Sequence, residues 1–157
     1  MEIERFFIAT VSDGESENGP VKAIDILNYR LANRIWASYH RSKGFKKLRI
    51  DSKLLFYVGG KGENNQSIIA SASIEKIINK FKRSDLGRLV ELKSWFYDYP
   101  EIQFELKNIK IFDEPIDFKL NVPFLEIYKS KDQDRWWLAI QGGFIEISKN
   151  DYIQLTK

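Results

Sequence analysis

The apolar residues of this chain fall mostly into short runs separated by turn residues, and this spacing limits the possible folds more than any other feature. Residues 5–11 (RFFIATV), 53–59 and 67–78 are rich in β-branched and aromatic side chains, which is typical of strands. The last two runs are joined by GGKGENNQ, so they predict a long β-hairpin. Residues 20–35 carry apolar side chains at helical spacing.

That one amphipathic segment predicts a helix that packs on the strands. Its first helical position is Pro20, where the missing N–H group costs no hydrogen bond, and its expected end is near Asn33. One face of the helix is apolar because the side chains recur every three or four residues. These side chains are Val21, Ile24, Leu27, Leu31 and Ile35.

The second half of the chain predicts further strands. Residues 102–112 alternate between apolar and polar side chains, and the phase shifts at Lys107 and Asn108, which indicates a bulge. Residues 114–127 contain two prolines and are expected to be extended. Residues 82–100 are ambiguous, since they fit one or two helical turns followed by an aromatic loop.

The C-terminal segments complete the predicted sheet. Residues 137–140 and 144–147 are joined by Gln-Gly-Gly and predict a closing hairpin. Ser148 is expected to cap a terminal helical turn, with Asp151 three residues later as in a capping box. Residues 1–157 are therefore interpreted as one α+β domain, a mixed and partly closed β-barrel with a few flanking helices.

Composition excludes several classes of protein. Hydrophobic residues make up 43% and charged residues 30%, so the composition is neither that of a disordered chain nor that of a membrane-embedded one. The chain has no cysteine, which excludes disulfides, thiolate metal sites and cysteine nucleophiles. The first apolar run is too short to span a bilayer and follows two glutamates, so we expect a cytoplasmic protein without membrane contact. No cofactor is expected.

Positive charge is concentrated in one segment. Residues 41–61 contain seven Lys or Arg and a single acid, Asp51, although the whole chain carries only +3. A compact basic surface is what binding to an anionic polymer requires, whereas the alternative is a solvated lysine-rich loop. The residues expected to hold phosphates are Arg41, Lys43, Lys46 and Lys47.

Enzymatic motifs are sparse. His40 is the only histidine, so no metal site with two histidines exists, and the glycines of residues 59–62 lack the pattern of a phosphate-binding loop. Glu91 and Glu105 each begin a Glu-Leu-Lys triplet, which metal-dependent nucleases use together with an upstream acid such as Asp85. Such triplets also arise by chance in a chain with this much charge. A nuclease is therefore kept as an alternative to binding without catalysis.

Two isolated tryptophans suggest a pocket for a flat ligand. Trp36 follows the predicted helix and Trp95 lies in a later loop, so the two indoles are candidates for the walls around a splayed-out base. Ser38 and Asn33 are candidates for reading the base edge. The alternative is that both indoles belong to the core or the barrel rim.

A tryptophan pair, Trp136 and Trp137, offers a separate signal. Neighbouring residues of a strand face opposite sides. We therefore expect one indole to pack inside and the other to meet solvent or a partner.

The order of these segments is similar to that of a known superfamily. An FFI strand, a helix, Trp36-x-Ser38, a basic loop, LLFYV and IIASASI resemble the start of the EVE and YTH domains of the PUA-like superfamily. The segments FELKNIKIFDEPIDFKLNVPFLEI and RWWLAIQGGFIEISKNDYIQL resemble EVE proteins more closely. The resemblance implies a PUA-like β-barrel that recognises a modified base of DNA or RNA in an aromatic pocket, without catalysis. A protein-interaction module remains a further alternative.

The resemblance also implies roles for individual residues. Trp36 matches the first tryptophan of the base cage, Ser38 matches the short polar residue after it, and the loop of Trp95 supplies the second wall. This chain departs from the pattern at Asp51-Ser52, where the family has a Gly-Asp step. Other aromatic residues compete for the second wall, namely Phe96, Tyr97 and Tyr99.

Overall fold

The computed structural model describes residues 3–16, 19–38, 44–79, 102–140 and 143–157. Eight strands, three α-helices and four short 3₁₀ segments lie in these ranges. The α-helices are α1 (Ala23–Ala32), α2 (Phe118–Asn121) and α3 (Lys149–Leu155). The strands are β1 (Phe6–Val11), β2 (Gly14–Ser16), β3 (Gly19–Val21), β4 (Ile35–Ser38), β5 (Lys53–Val58), β6 (Ser67–Asn79), β7 (Ile102–Asp117) and β8 (Phe144–Ile147).

Six of the strands form one mixed sheet in the order β4-β7-β6-β5-β1-β8. The predicted hairpin of β5 and β6 is confirmed as an antiparallel pair. β1 runs parallel to β5, with Phe6 opposite Lys53 and Val11 opposite Val58, and antiparallel to β8. The sheet forms a half-barrel, which confirms the predicted mixed and partly closed architecture.

The sheet is covered on both faces. Alternate side chains of its central strands therefore enter two different cores. Phe7 and Phe56 point into a core closed by α1, whereas Ile8 and Leu55 point into a core closed by α2, α3 and the 3₁₀ segments. Strands that are buried on both faces read as continuous apolar runs. This explains why β1 and β5 lack the alternation of a half-buried strand.

Helix α1 starts three residues later than predicted, because Pro20 belongs to β3 and not to the helix. The residues around Pro20 pair with β2 in a small second sheet. The helix begins at Ala23, whose backbone N–H donates to the Asp13 Oδ1 atom at 2.9 Å. This side-chain cap comes from ten residues upstream, so the local sequence did not reveal it. The predicted end near Asn33 is confirmed.

The predicted bulge in β7 is confirmed. Asn108 has a φ of 55°, and the pairing with β6 shifts register between Lys107 and Lys110. β7 also extends to Asp117, beyond the predicted strand. The extra residue of the bulge bends β7 locally and interrupts the regular alternation of its side chains.

Two later predictions are wrong. The segment 114–127 is extended only as far as Asp117, whose side chain caps α2 by accepting from Leu120 N at 3.2 Å. The predicted hairpin fails because Gln133–Ile140 is a kinked 3₁₀ segment, and β8 pairs with β1 instead. In both cases long-range packing outweighed the local strand pattern. The ambiguous segment 82–100 lies outside the described residues.

The predicted C-terminal cap is confirmed. Ser148 Oγ accepts from Asp151 N at 3.1 Å. The carboxylate of Asp151 is buried and accepts from the backbone N–H groups of Glu126 and Ile127 at 2.6 and 3.1 Å. It therefore ties α3 to the segment before it. No helix within the described ranges is long and apolar enough to cross a membrane.

We predict that Asp151→Ala lowers the free energy of unfolding by about 2–3 kcal/mol, because it leaves two partly buried N–H groups without their acceptor. Asp134→Ala, on an exposed turn, is the control and should change it by less than about 0.5 kcal/mol. Urea denaturation monitored by circular dichroism measures both values. Equal effects of the two substitutions would contradict the tethering role of Asp151.

Candidate nucleic-acid interface

A basic cleft lies at the amino ends of β1 and β5. Its volume is about 1290 Å³, and it is bounded by the N-terminal segment, the chain from Phe45 to Lys53 and the bulge of β7. Two acids, Glu4 and Asp51, are among the residues that line it. The cationic lining residues are Arg5, Lys46, Arg49, Lys53 and Lys107.

Strand pairing brings these cations together from distant parts of the sequence. The N–H group of Lys53 donates to the carbonyl of Arg5 at 2.9 Å, because the two residues lie at the start of the parallel pair. Lys107 lies opposite Ser73 on the neighbouring strand, beside the bulge. Three separate regions of the chain therefore contribute positive charge to one concavity.

The turn before β5 is held in place by its own polar groups. Arg49 Nη1 donates to the carbonyl oxygens of Lys46 and Leu48 at 3.0 and 2.8 Å, and Arg49 N donates to Ser52 Oγ at 3.0 Å. Asp51 has a φ of 70°, in the left-handed region that favours glycine, and its N–H donates to the carbonyl of Ile74 on β6 at 2.8 Å. The backbone beneath the cations is therefore fixed to the sheet.

Gly44 holds the other end of this turn against β8. Its φ is 77°, and a side chain at this position would collide with the carbonyl oxygen of Phe144. Only a glycine allows both the left-handed conformation and the close approach of the two backbones. The short 3₁₀ turn Phe45–Lys47, which carries Lys46, follows directly.

Two of the five cations have acidic partners. Lys107 Nζ contacts the carboxylate of Asp51, a hydrogen bond that raises the pKa of Lys107, so this side chain is charged at neutral pH. Arg5 pairs with Glu146 at 3.7 Å. Within the described segments, no acidic side chain pairs with the three others, which are Lys46, Arg49 and Lys53.

The predicted phosphate-binding residues are partly brought together. Lys46 lines the cleft, and Lys47 is exposed beside it, with its carbonyl accepting from Arg5 Nη1 at 3.4 Å. Arg41 and Lys43 lie outside the described residues. Arg5 and Lys107 were not predicted to belong to this surface, since only the pairing of the strands places them here. Arg49 and Lys53 belong to the basic segment 41–61, which was predicted to form a cationic surface.

Trp36 is 2% exposed, so its indole is not open to water as the pocket interpretation required. One face of the indole packs on Phe56, with ring centroids 4.8 Å apart, and Arg30 Cζ lies 4.4 Å from the ring centroid. The burial arises because β4 pairs with β7 and its Trp36 side chain enters the core that α1 closes. Arg30, which is itself buried, lies in the last turn of α1.

The remaining pocket predictions have mixed outcomes. Asn33 is the exposed C-cap of α1, and its Nδ2 atom donates to the carbonyl of Tyr29 at 2.9 Å. The backbone of Ser38 pairs with β7 at the end of β4. Trp95 and Tyr97, the candidates for the second wall, lie outside the described residues.

The tryptophan pair behaves as predicted, although it lies on a 3₁₀ segment and not on a strand. Trp136 is buried, whereas Trp137 is 46% exposed. The two rings contact each other edge to face with centroids 6.3 Å apart. One indole therefore packs inside and its neighbour meets solvent.

The residues of the nuclease alternative do not assemble a metal site in the described part of the chain. Lys107 of the second triplet contacts Asp51, and no group of three or more His, Asp or Glu side chains in the described ranges is placed to hold a metal ion. Glu91 and Asp85 lie outside these ranges.

No protein-family model matches the sequence, and the comparison with curated proteins gives no match either. The fold does match solved structures. The YTH domain of Zygosaccharomyces rouxii MRB1, in complex with N6-methyladenosine RNA, matches with a TM-score of 0.57 at 13% identity and covers 99% of this chain and 86% of that one. The chain has a PUA-like fold.

Two further solved structures are similar in fold to this chain. The N-terminal domain of Staphylothermus marinus McrB matches with a TM-score of 0.55 at 6% identity, covering 99% of this chain and 94% of that one. Human THYN1, in complex with DNA that contains 5-methylcytosine, matches with a TM-score of 0.53 at 10% identity, covering 96% and 94%. At these identities the likeness establishes the fold alone.

We predict that Trp36→Ala lowers the free energy of unfolding by about 3–5 kcal/mol, because it leaves a cavity between Phe56 and α1. Trp137→Ala is the matched control, and it should cost less than about 1 kcal/mol since its indole is half exposed. Chemical denaturation of both variants measures the difference. A Trp36→Ala protein as stable as the control would contradict the core role of this indole.

Proposed function

We propose that the protein binds nucleic acid and that the basic cleft holds the phosphates. The observation that carries this proposal is the convergence of five cationic side chains from three regions of the chain on one concavity. Three of them, Lys46, Arg49 and Lys53, have no acidic partner among the described residues. When such cationic side chains contact phosphates, the counterions condensed on the nucleic acid are released. This release contributes to the binding affinity.

The size of the cleft favours a polymer over a small anion. Its volume of about 1290 Å³ exceeds the range of about 300–1,000 Å³ that is usual for pockets holding a single small molecule. A chain of phosphates spaced along a backbone can contact several of the cations at once, which an isolated phosphate cannot. The turn that carries Lys46 is already fixed by hydrogen bonds, so little ordering is needed on binding.

We further propose that the protein belongs to the EVE group of PUA-like domains and recognises a modified or flipped base without catalysis. The resemblance in sequence and the fold shared with a YTH domain and with THYN1, each solved with methylated nucleic acid, support this proposal. A methyl group buried in an apolar pocket contributes about 0.8 kcal/mol, which is about a fourfold gain in affinity.

In this proposal the base stacks on Trp36, with Trp95 or Tyr97 as the opposite wall. Phe56 covers the core side of the indole, so the base takes the face over which Arg30 now lies. Because the indole is buried, binding requires the guanidinium to leave this face and open it to the base. Ser38 and Asn33, which lie at the ends of β4 and α1, contact the base edge in this proposal.

We predict that Lys46→Gln weakens binding of a single-stranded oligonucleotide and reduces the slope of log affinity against log salt by about 0.7, the contribution of one phosphate contact. Lys119→Gln removes the same charge from α2, away from the cleft, and should leave the slope unchanged. Fluorescence anisotropy at several salt concentrations measures both slopes. If wild-type affinity does not depend on salt, the cleft does not bind phosphates.

A second prediction separates base recognition from phosphate binding. Wild-type protein should bind an oligonucleotide with one N6-methyladenosine or one 5-methylcytosine about four times more tightly than the unmethylated strand. Trp36→Leu keeps the core apolar and should abolish this ratio while preserving the salt slope. A ratio of one in the wild type for both modifications would contradict the aromatic pocket and leave the role of the cleft intact.

A further inference from the structure

A second pocket lies at the other end of the parallel pair, where β1 and β5 finish. Its volume is about 420 Å³, within the usual range for a small-molecule site. Crevices at the carboxyl ends of parallel strands are favoured ligand sites in open sheets. The lining residues are Thr10, Ser12, Tyr57, Gly59, Gly60, Gln66, Trp137 and Ile140.

This pocket is separate from the basic cleft. The cleft is lined by Arg5 and Lys53 at the start of the two strands, whereas the second pocket begins at Thr10 and Tyr57 near their ends. Strands rise by about 3.3 Å per residue, so the two concavities lie about 13–17 Å apart along the pair. They share no lining residue.

Trp137 offers a fixed aromatic surface at the second pocket. The neighbouring indole of Trp136 is buried, contacts Trp137 edge to face and packs on Phe118 with centroids 5.6 Å apart. The hydroxyl of Tyr128 donates to the carbonyl of Trp136 at 2.8 Å. The backbone next to Trp137 is thus anchored, so a ring that stacks on the exposed indole loses little of its binding energy to ordering the protein.

The polar groups around this indole suit an uncharged ligand. Burial, followed by the charge of Asp117, raises the pKa of Tyr57 to about 12, so its hydroxyl stays protonated and can donate. Ser12 and Gln66 are exposed and offer both donors and acceptors. The hydroxyl of Thr10 is already engaged by the backbone of Gly143. No Lys, Arg, Asp or Glu occurs among the described residues that line the pocket.

The backbone at position 60 of this pocket requires a glycine. A side chain at position 60 would collide with the carboxylate of Asp13, which caps α1. Gly60 also has a φ of 72°, which favours glycine. This carboxylate stands just behind the wall of the pocket and disfavours an anionic ligand.

We propose that the second pocket binds an uncharged planar heteroaromatic ring of the nucleoside class, which stacks on Trp137 and hydrogen-bonds through its edge to Tyr57, Ser12 and Gln66. The ring faces the indole, and its polar edge meets the three side chains. The ligand carries no phosphate, which distinguishes this site from the basic cleft. The site does not depend on the function proposed for that cleft.

The test uses adenosine, guanosine, cytidine and uridine as probes in ligand-observed NMR titrations of the full chain. At least one nucleoside should bind in the millimolar range or tighter, and Trp137→Ala should weaken it about 5- to 150-fold. Leu138→Ala removes an exposed apolar side chain of the same turn outside the pocket and should have no effect. Tyr57→Phe keeps the ring and should weaken binding about 2- to 12-fold.

One control keeps this site distinct from the proposed phosphate-binding cleft. Lys46→Gln should leave nucleoside affinity unchanged, whatever it does to oligonucleotide binding. The proposal is overturned if none of the four nucleosides binds in the millimolar range. It is equally overturned if Trp137→Ala, with its fold verified by circular dichroism, binds them as well as the wild type does.

Discussion

The parallel pairing of β1 with β5 is the constraint on which the rest of this structure depends. The two strands lie next to each other in the sheet and carry side chains into both cores. Parallel neighbours need a long crossover, and here the chain between them contains β2, β3, α1 and β4. Helix α1 therefore packs on one face of the sheet, and the later helices cover the other.

The same pairing gives the molecule two unlike ends. The amino ends of the strands are surrounded by cations from the N-terminus, the turn before β5 and the bulge of β7. The carboxyl ends meet uncharged hydroxyl and amide groups and an exposed indole. Because fixed charge decides which ligands approach a surface, the first end selects for anions and the second does not. The two ends of the same strand pair therefore present surfaces of different charge.

Local signals in the sequence predicted the features that local interactions create. The hairpin of β5 and β6, the bulge at Asn108 and the cap at Ser148 each arise from neighbouring residues, so their patterns were readable. The burial of Trp36 could not be read from its neighbours in the sequence, because it depends on packing against β7 and α1. The cleft was only half predicted for the same reason, since Arg5 joins it solely through strand pairing.

The contact between Gly44 and β8 links one side of the cleft to a strand far along the sequence. β8 also covers the outer edge of β1, which is otherwise open to other chains. During translation the earlier strands emerge first. One edge of β1 therefore stays unpaired until β8 has left the ribosome. The basic surface is therefore completed only after β8 has been made, and a nascent chain stalled before β8 would carry an edge prone to aggregation.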